Sequence, residues 1–477
     1  MGTKRSTAGL VVLLGWTGCV SPSMQSDLTR VRELTRVPLP SQLALPRDEA
    51  QGLPEDVRAL LQQPLTAETA VRIALLNNRE LRASLRELGV ARGQLVQAGV
   101  LPNPSVEVEL HQQEDPEQPF SPQTEIRVEY GISRALLSVV RSKVARSELE
   151  AARYRTAGTV VELGYTVRAA HYALQAAQQR MAIATQALDA FAAARDASRA
   201  LFEAGNIPEL DAATQEAAYE SARANVAQLE LETLERREQL QRLLGLHGDA
   251  TAWTVTDTLP RLAEQAPTFE DLERKALTAS LELAETQRRL EGTAQRSGLT
   301  RAEGWIPDVT VGVIAEREGH GTPSHGEWAW GGAIHFTVPL FDRQQGTRAA
   351  SEAEFDALME RYQGMAIDIR SAAREARNRV ESTYLRARQY QQVLLPARQR
   401  VMRQTLLQYN AMQIGIFQVL QARREQLDAE LAYVGLLQEH WTAQAALDAL
   451  LAGRRAGAPQ GAGTAPSLAG GAEAGGH

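Results

Sequence analysis

The sequence predicts a mainly α-helical chain with a small transmembrane β part, built by internal duplication of one unit. Three observations carry that reading. Prolines gather at a few places and leave long proline-free stretches between them. A seven-residue apolar repeat runs through those stretches. Four short segments alternate apolar and polar residues with period two. Composition agrees. Ala, Leu, Arg, Gln and Glu dominate, and aromatics make up 5% of the 477 residues, which suits long helices better than a compact enzyme core. The net charge of −7 is spread along the chain, and no basic stripe offers a surface for nucleic acid.

The first element is a leader. Lys4 and Arg5 precede a short, largely apolar run at 8–14 that cannot span a bilayer, so residues 1–18 read as a secretory signal peptide. Gly15-Trp16-Thr17-Gly18 ahead of Cys19 resembles the lipobox of bacterial lipoproteins, with Trp16 departing from the usual Leu. That resemblance implies cleavage before Cys19 and its acylation; an ordinary signal cut elsewhere is the alternative. Cys19 is the only cysteine, which rules out an intrachain disulfide and a cysteine zinc site. Beyond the leader no apolar run reaches the length of a spanning helix, so strands must make any membrane crossing. Segment 19–64 carries six prolines and reads as extended and loop-like.

The two repeats follow, at 65–247 and 268–453, joined by a linker at 248–267 that should run across the outside of the helices. Gly99-Val100-Leu101-Pro102-Asn103-Pro104 corresponds to Gly304-Trp305-Ile306-Pro307-Asp308, an offset of about 205 positions that persists through the half. Each unit reads as helix, two strands, long helix, turn and return helix. The first long helix is expected over 139–204, roughly 95 Å at the α-helical rise. Leu163, Val167, Ala170, Leu174, Ala177, Met181, Ala184, Leu188 and Phe191 form its seam, alternating four and three. Its return helix is expected over 209–244, ending at Gly245. Leu420, Leu427, Leu431, Val434, Trp441 and Ala445 continue a similar seam in the second half, where Pro396 should kink or break the helix. The Gly- and Ala-rich tail, 454–477, reads as disordered.

The strands decide between a plain coiled coil and something else. They are expected at about 104–111, 124–132, 308–316 and 328–338. Val106, Val108 and Leu110 share one face of the first, with Glu107 and Glu109 on the other; Trp328, Trp330, Ile334, Phe336 and Val338 share one face of the fourth. Each strand is about long enough to cross a bilayer when tilted. A sheet in lipid must close, and four strands are too few, so several copies must share one barrel; a trimer supplies twelve strands. A small soluble sheet packed on helices is the competing reading. In the second hairpin loop, His320, His325, Glu316, Glu318 and Glu327 could touch a metal ion, but a solvated loop accounts for them and no metal site is assigned. No HExxH, Walker loop or nucleophile elbow occurs, so no catalytic residue and no cofactor is assigned.

Taken in order, Leu65-Thr66-Ala67-Glu68-Thr69-Ala70, Gln97-Ala98-Gly99-Val100-Leu101-Pro102-Asn103-Pro104 and Pro339-Leu340-Phe341-Asp342-Arg343-Gln344-Gln345-Gly346 resemble the TolC family of outer-membrane efflux proteins over about 65–453. The last motif is most similar to the heavy-metal branch, which serves cobalt–zinc–cadmium or copper–silver pumps. The resemblance implies a homotrimer in outer-membrane lipid, with a twelve-stranded barrel and a tunnel of antiparallel helical hairpins. It implies a passive duct fed by an inner-membrane efflux pump of the RND type through a periplasmic membrane-fusion adaptor. It places the hairpin tips at 202–211 and 409–421, with Gly205, Asn206, Met412 and Gly415 as adaptor contacts. Two acidic residues are common in the family's second tip; here Gln418 and Gln421 stand there, a departure that puts a charged gate in doubt. Asp211 could supply an acidic ring through threefold symmetry, or simply favour a helix N-terminus. A periplasmic structural or adaptor lipoprotein with no pore remains the alternative function.

Overall fold

The long proline-free stretches fold into helices, a few of them opened by side-chain caps. A computed structural model describes residues 24–35, 53–115, 118–256, 258–319 and 326–456. Helix α1, Gln25–Thr35, and α2, Glu55–Leu61, lie in the segment expected to be extended. That expectation is corrected. Asp27, Leu28, Val31 and Thr35 recur on one face of α1 and are buried, and prolines on either side had masked a short amphipathic run. Helix α3, Ala67–Asn77, opens on a capping box in which Thr66 and Thr69 satisfy each other's backbone N–H groups at 3.2 and 2.8 Å. Asn78 caps α4, Arg79–Gly99, by accepting from the Leu81 N–H at 2.9 Å.

Strands β1, Ser105–Asp115, and β2, Gln118–Gly131, follow, and β2 runs directly into α5, Ile132–Glu203. The helix starts seven residues before the expected 139 because nothing between Gly131 and Val139 breaks it; its 72 residues measure about 108 Å. Val167, Ala170, Leu174, Ala177 and Ala184 of its seam are buried against neighbouring helices. Helix α6, Glu209–Leu244, returns along it, and α7, Leu272–Ala279, and α8, Leu281–Glu303, open the second unit. Strands β3, Asp308–Gly319, and β4, Gly326–Thr337, lead to α9, Gln345–Gln389, α10, Leu395–Asn410, and α11, Ile416–Leu451. Between α9 and α10 lies a π-helical turn, Tyr390–Leu394, with Pro396 in the first turn of α10. Pro396 offers no N–H to the carbonyl four residues back, and the extra residue per turn makes room for its ring.

The four strands form one antiparallel sheet in the order β1-β2-β3-β4, so the two units join at β2 and β3. The ladders reach further toward the hairpin loops than the expected spans, because backbone pairing continues where apolar alternation stops. No described helix is long and apolar enough to cross a membrane.

The inter-repeat linker is sewn to helices of both units through its carbonyls. Leu65 and Val255 form a parallel bridge. Arg237 of α6 donates to the Thr251 and Trp253 carbonyls at 2.8 and 2.6 Å, and Gln175 of α5 to those of Thr256 and Thr258 at 2.8 and 3.0 Å. Trp441 of α11 donates to Pro260 at 2.9 Å, and the Tyr384 hydroxyl of α9 to Ala263 at 3.0 Å. Such bonds satisfy an irregular backbone that has no ladder of its own. At the other end of the core, Asp27 of α1 is fully buried and pairs with Arg92 of α4 and Arg153 of α5, at 2.6 Å from each.

Candidate functional site

Register divides the sheet into two chemically opposite faces. On one face Val106, Val108, Ile126, Val128, Val311, Val313, Ile334 and Phe336 stand in cross-strand rows, ending in Trp328 and Trp330, and most are exposed. On the other stand Glu107, Glu109, Glu125, Arg127, Glu129 and Glu316. Arg127 donates to Glu125 at 2.6 Å and to Glu107 at 3.2 Å. Glu109, Glu125 and Glu316 stand side by side across three strands, a row of like charge that Arg127 offsets in part and that favours water around the rest. An exposed apolar face of this extent needs a non-aqueous neighbour. Among the described residues β1 pairs only with β2 and β4 only with β3, so both outer edges of the sheet are open.

The far ends of the hairpins are two versions of one turn. After α5, Gly205 takes a left-handed φ of 72°, with Gly205 N–H donating to Phe202 at 2.8 Å and Asn206 N–H to Leu201 at 2.9 Å. After α10, Met412 takes φ 56°, with Met412 N–H donating to Tyr409 and Gln413 N–H to Gln408, both at 2.9 Å. These are paired C-terminal capping bonds. Glycine adopts that conformation freely; Met412 does so at a cost, with its side chain 94% exposed. Pro208 and Gly415 then cap α6 and α11. Gly205, Asn206, Met412 and Gly415 therefore all lie on the two tips.

The gate candidates do not all come together. Gln418 and Gln421 of α11 line a groove of about 780 Å³ between the two hairpins, with Phe191, Thr214, Ile414, Phe417 and Glu425. Gln421 donates to Glu425 at 2.9 Å, and Glu425 also pairs with Arg398 of α10. Asp211 sits apart, in the first turn of α6. The sequence reading missed Arg398 and Glu425, whose pairing depends on how α10 and α11 meet. It also missed Asp428, half-buried, whose carboxyl burial pushes above the usual range while Arg424 opposes the shift. His320 and His325 lie outside the described residues, and no group of three metal-ligating side chains occurs among the described ones.

Comparison with known proteins agrees with this geometry. The profile of a family described as outer membrane efflux protein matches residues 70–246 and 272–453. The cobalt-zinc-cadmium resistance protein CzcC of Cupriavidus metallidurans is 26% identical over 397 residues, 81% of this chain and 90% of that one. The CmeC outer membrane channel of Campylobacter jejuni superposes with a TM-score of 0.68 at 15% identity, covering 81% of this chain and 85% of its own. A structure of CusC, described for its folding and transmembrane channel formation, gives 0.67 at 17% identity, covering 88% and 99%.

Proposed function

The chain belongs to the outer membrane efflux protein family, and from that premise we propose how its own residues build the duct. It is the outer-membrane channel component of a tripartite efflux system. Family members work as trimeric channels with inner-membrane pumps and adaptors; a poreless periplasmic lipoprotein is not favoured. One observation carries the proposal: a two-faced sheet whose β1 and β4 edges are both open. Hydrocarbon has no hydrogen-bond partner for either edge, so β4 of one copy pairs with β1 of the next until three copies close the ring. The apolar face then meets lipid, and the carboxylate rows meet a wet lumen.

Cys19 is the lipid anchor in this reading. Met24, at the start of α1, lies 3.9 Å from the ideal Cβ position of Gly89. From Gly89 to the end of α4 is about 15 Å of helix. Five residues of chain from Met24 to Cys19 span at most about 17 Å. The chain is long enough to bring an acylated Cys19 to the level where the sheet begins. At the other end, Gly205, Asn206, Met412 and Gly415 form the surface the adaptor meets. Gln418 and Gln421 stand where the family's second tip carries an acidic pair, which puts a charged gate there in doubt, and any acidic ring falls to Asp211.

The cargo we assign is divalent heavy-metal cations, delivered by an RND-type pump. CzcC's likeness over most of both chains supports this, as does the acidic lumen face. Purified protein in planar bilayers should conduct, with cations favoured over anions; a non-conducting lone subunit would sink the duct. Deleting the gene in its native host should raise sensitivity to cobalt, zinc or cadmium. Increased sensitivity to lipophilic drugs alone would overturn the cargo and leave the duct standing.

A further inference from the structure

Where β4 meets α9, the loop 338–344 stands against the end of α8. Gly304 approaches it so closely that a Cβ there would collide with the Arg343 carbonyl. The loop is also held internally. Leu340 N–H donates to Val338 at 2.9 Å, Gln344 N–H to the Asp342 carboxylate at 2.9 Å, and Arg343 N–H to the Gln345 side chain at 2.8 Å. This turn and the end of α8 beside it expose large apolar groups: Phe341 at 92%, Trp305 at 72% and Leu340 at 64%. The Arg343 guanidinium lies 5.8 Å from the Trp305 ring centroid, and among the described residues it makes no ion pair.

Continuity argues what covers this patch. Ile334 and Phe336 run down the apolar face of β4 toward it with Val338 just beyond the strand, and Val309, opposite Phe336, leads back to Trp305 through three residues. The patch therefore begins where the lipid-facing rows end. The interfacial layer adds roughly 5–8 Å beyond the hydrocarbon on each side. Tryptophan and phenylalanine suit that depth, and a guanidinium there meets phosphate. A neighbouring copy could cover the apolar side chains too, and the quenching arms below separate it from lipid.

We propose that Trp305, Leu340, Phe341 and Arg343 form a binding site for a glycerophospholipid of the periplasmic leaflet. The rings sit at the glycerol level and Arg343 bonds the phosphate. The proposal rests on the outer-membrane placement of the sheet, and its test separates the two. The full-length protein is reconstituted into phosphatidylethanolamine–phosphatidylglycerol vesicles whose acyl chains carry bromine at shallow or deep positions. With the emission of Trp253 and Trp441 subtracted through a control that also carries Trp305→Phe, Trp328→Phe with Trp330→Phe leaves Trp305 as the tryptophan at the barrel. Its emission should be lost more to shallow than to deep bromines. Quenching by aqueous acrylamide instead, or by neither agent, would overturn the site in favour of open water or a second copy. The reciprocal Trp305→Phe protein keeps Trp328 and Trp330. If it too escapes bromine quenching, the membrane placement fails. In native mass spectra, Arg343→Gln should lose one retained phospholipid per chain while Arg343→Lys retains it; equal retention in both would remove Arg343 from the site.

Discussion

The two repeats run through the same order of elements, yet they handle the passage from sheet to helix in opposite ways. In the first, β2 ends at Gly131 and α5 begins at Ile132, with the Ser133 hydroxyl tied to Asp308 and accepting from Val309 N–H at 3.1 Å. In the second, the loop 338–344 intervenes and turns its apolar side chains outward. The long helices diverge as well. Helix α5 is unbroken and buries residues from Ser133 to Ser198 against α4, α6, α8 and α11. Its counterpart is interrupted at Tyr390–Leu394, and α10 beyond the interruption buries none of its residues. A duplicated plan has thus become a scaffold and a periphery. The first repeat buries its long helix almost end to end, and the second leaves the distal part of its own exposed.

That contrast can be broken in four ways, from the largest effect to the smallest. Helix α1 adds a layer to the first repeat only, through Asp27 and its two arginines. Asp27→Ala takes from Arg92 its carboxylate partner, leaves Arg153 with Glu150 alone, and should cost about 4 kcal/mol in chemical unfolding of the detergent-solubilised protein. Unchanged stability would mean that α1 is an ornament. Next comes a matched pair on the long helices. Leu174→Ala, fully buried on α5, should lose about 3 kcal/mol, whereas Leu406→Ala on α10 should stay within about 0.5 kcal/mol. Equal losses would erase the division into scaffold and periphery.

The third pair tests the junctions. Gly99 and Gly304 end equivalent helices, but a Cβ on Gly99 would meet only the Ser142 side chain at 3.9 Å. Gly304→Ala should therefore lower stability by about 2 kcal/mol through overpacking against the loop, while Gly99→Ala should be neutral or gain up to about 1 kcal/mol. Thermal unfolding of both variants decides it.

The smallest effect is a pH slope shared between repeats. Burial holds the imidazoles of His171 and His440 below their ordinary pKa, opposed by backbone bonds to Leu65 and Val380 respectively. The unfolded chain takes up protons near pH 6.5 that the folded chain refuses, so stability should fall as pH drops below about 6.5 and level off once the folded imidazoles titrate. Gln at either position should remove part of that slope; a slope untouched by both substitutions would assign it elsewhere.

Much of this architecture was legible before any coordinates. Proline spacing marked the helical hairpins and the break at Pro396, and the alternation around Val106 and Ile334 marked a sheet with one apolar face. What escaped notice was short or depended on partners. Helix α1 hid between prolines, and its purpose lies in Arg92 and Arg153, 65 and 126 positions away. The groove at Gln418 and Gln421, with Arg398 and Glu425 beside them, exists only because two hairpins lie side by side.

Periodicity is a local property, so the amino-acid order alone determined the element types, the duplication and the two-faced strands. It also determined the need for sister chains, since four short strands cannot close in lipid. Tertiary packing decided which repeat buries its long helix, which carbonyls of the linker each helix holds and where Phe341 and Trp305 emerge. Those outcomes depend on contacts between residues a hundred or more positions apart, whose geometry no local pattern encodes.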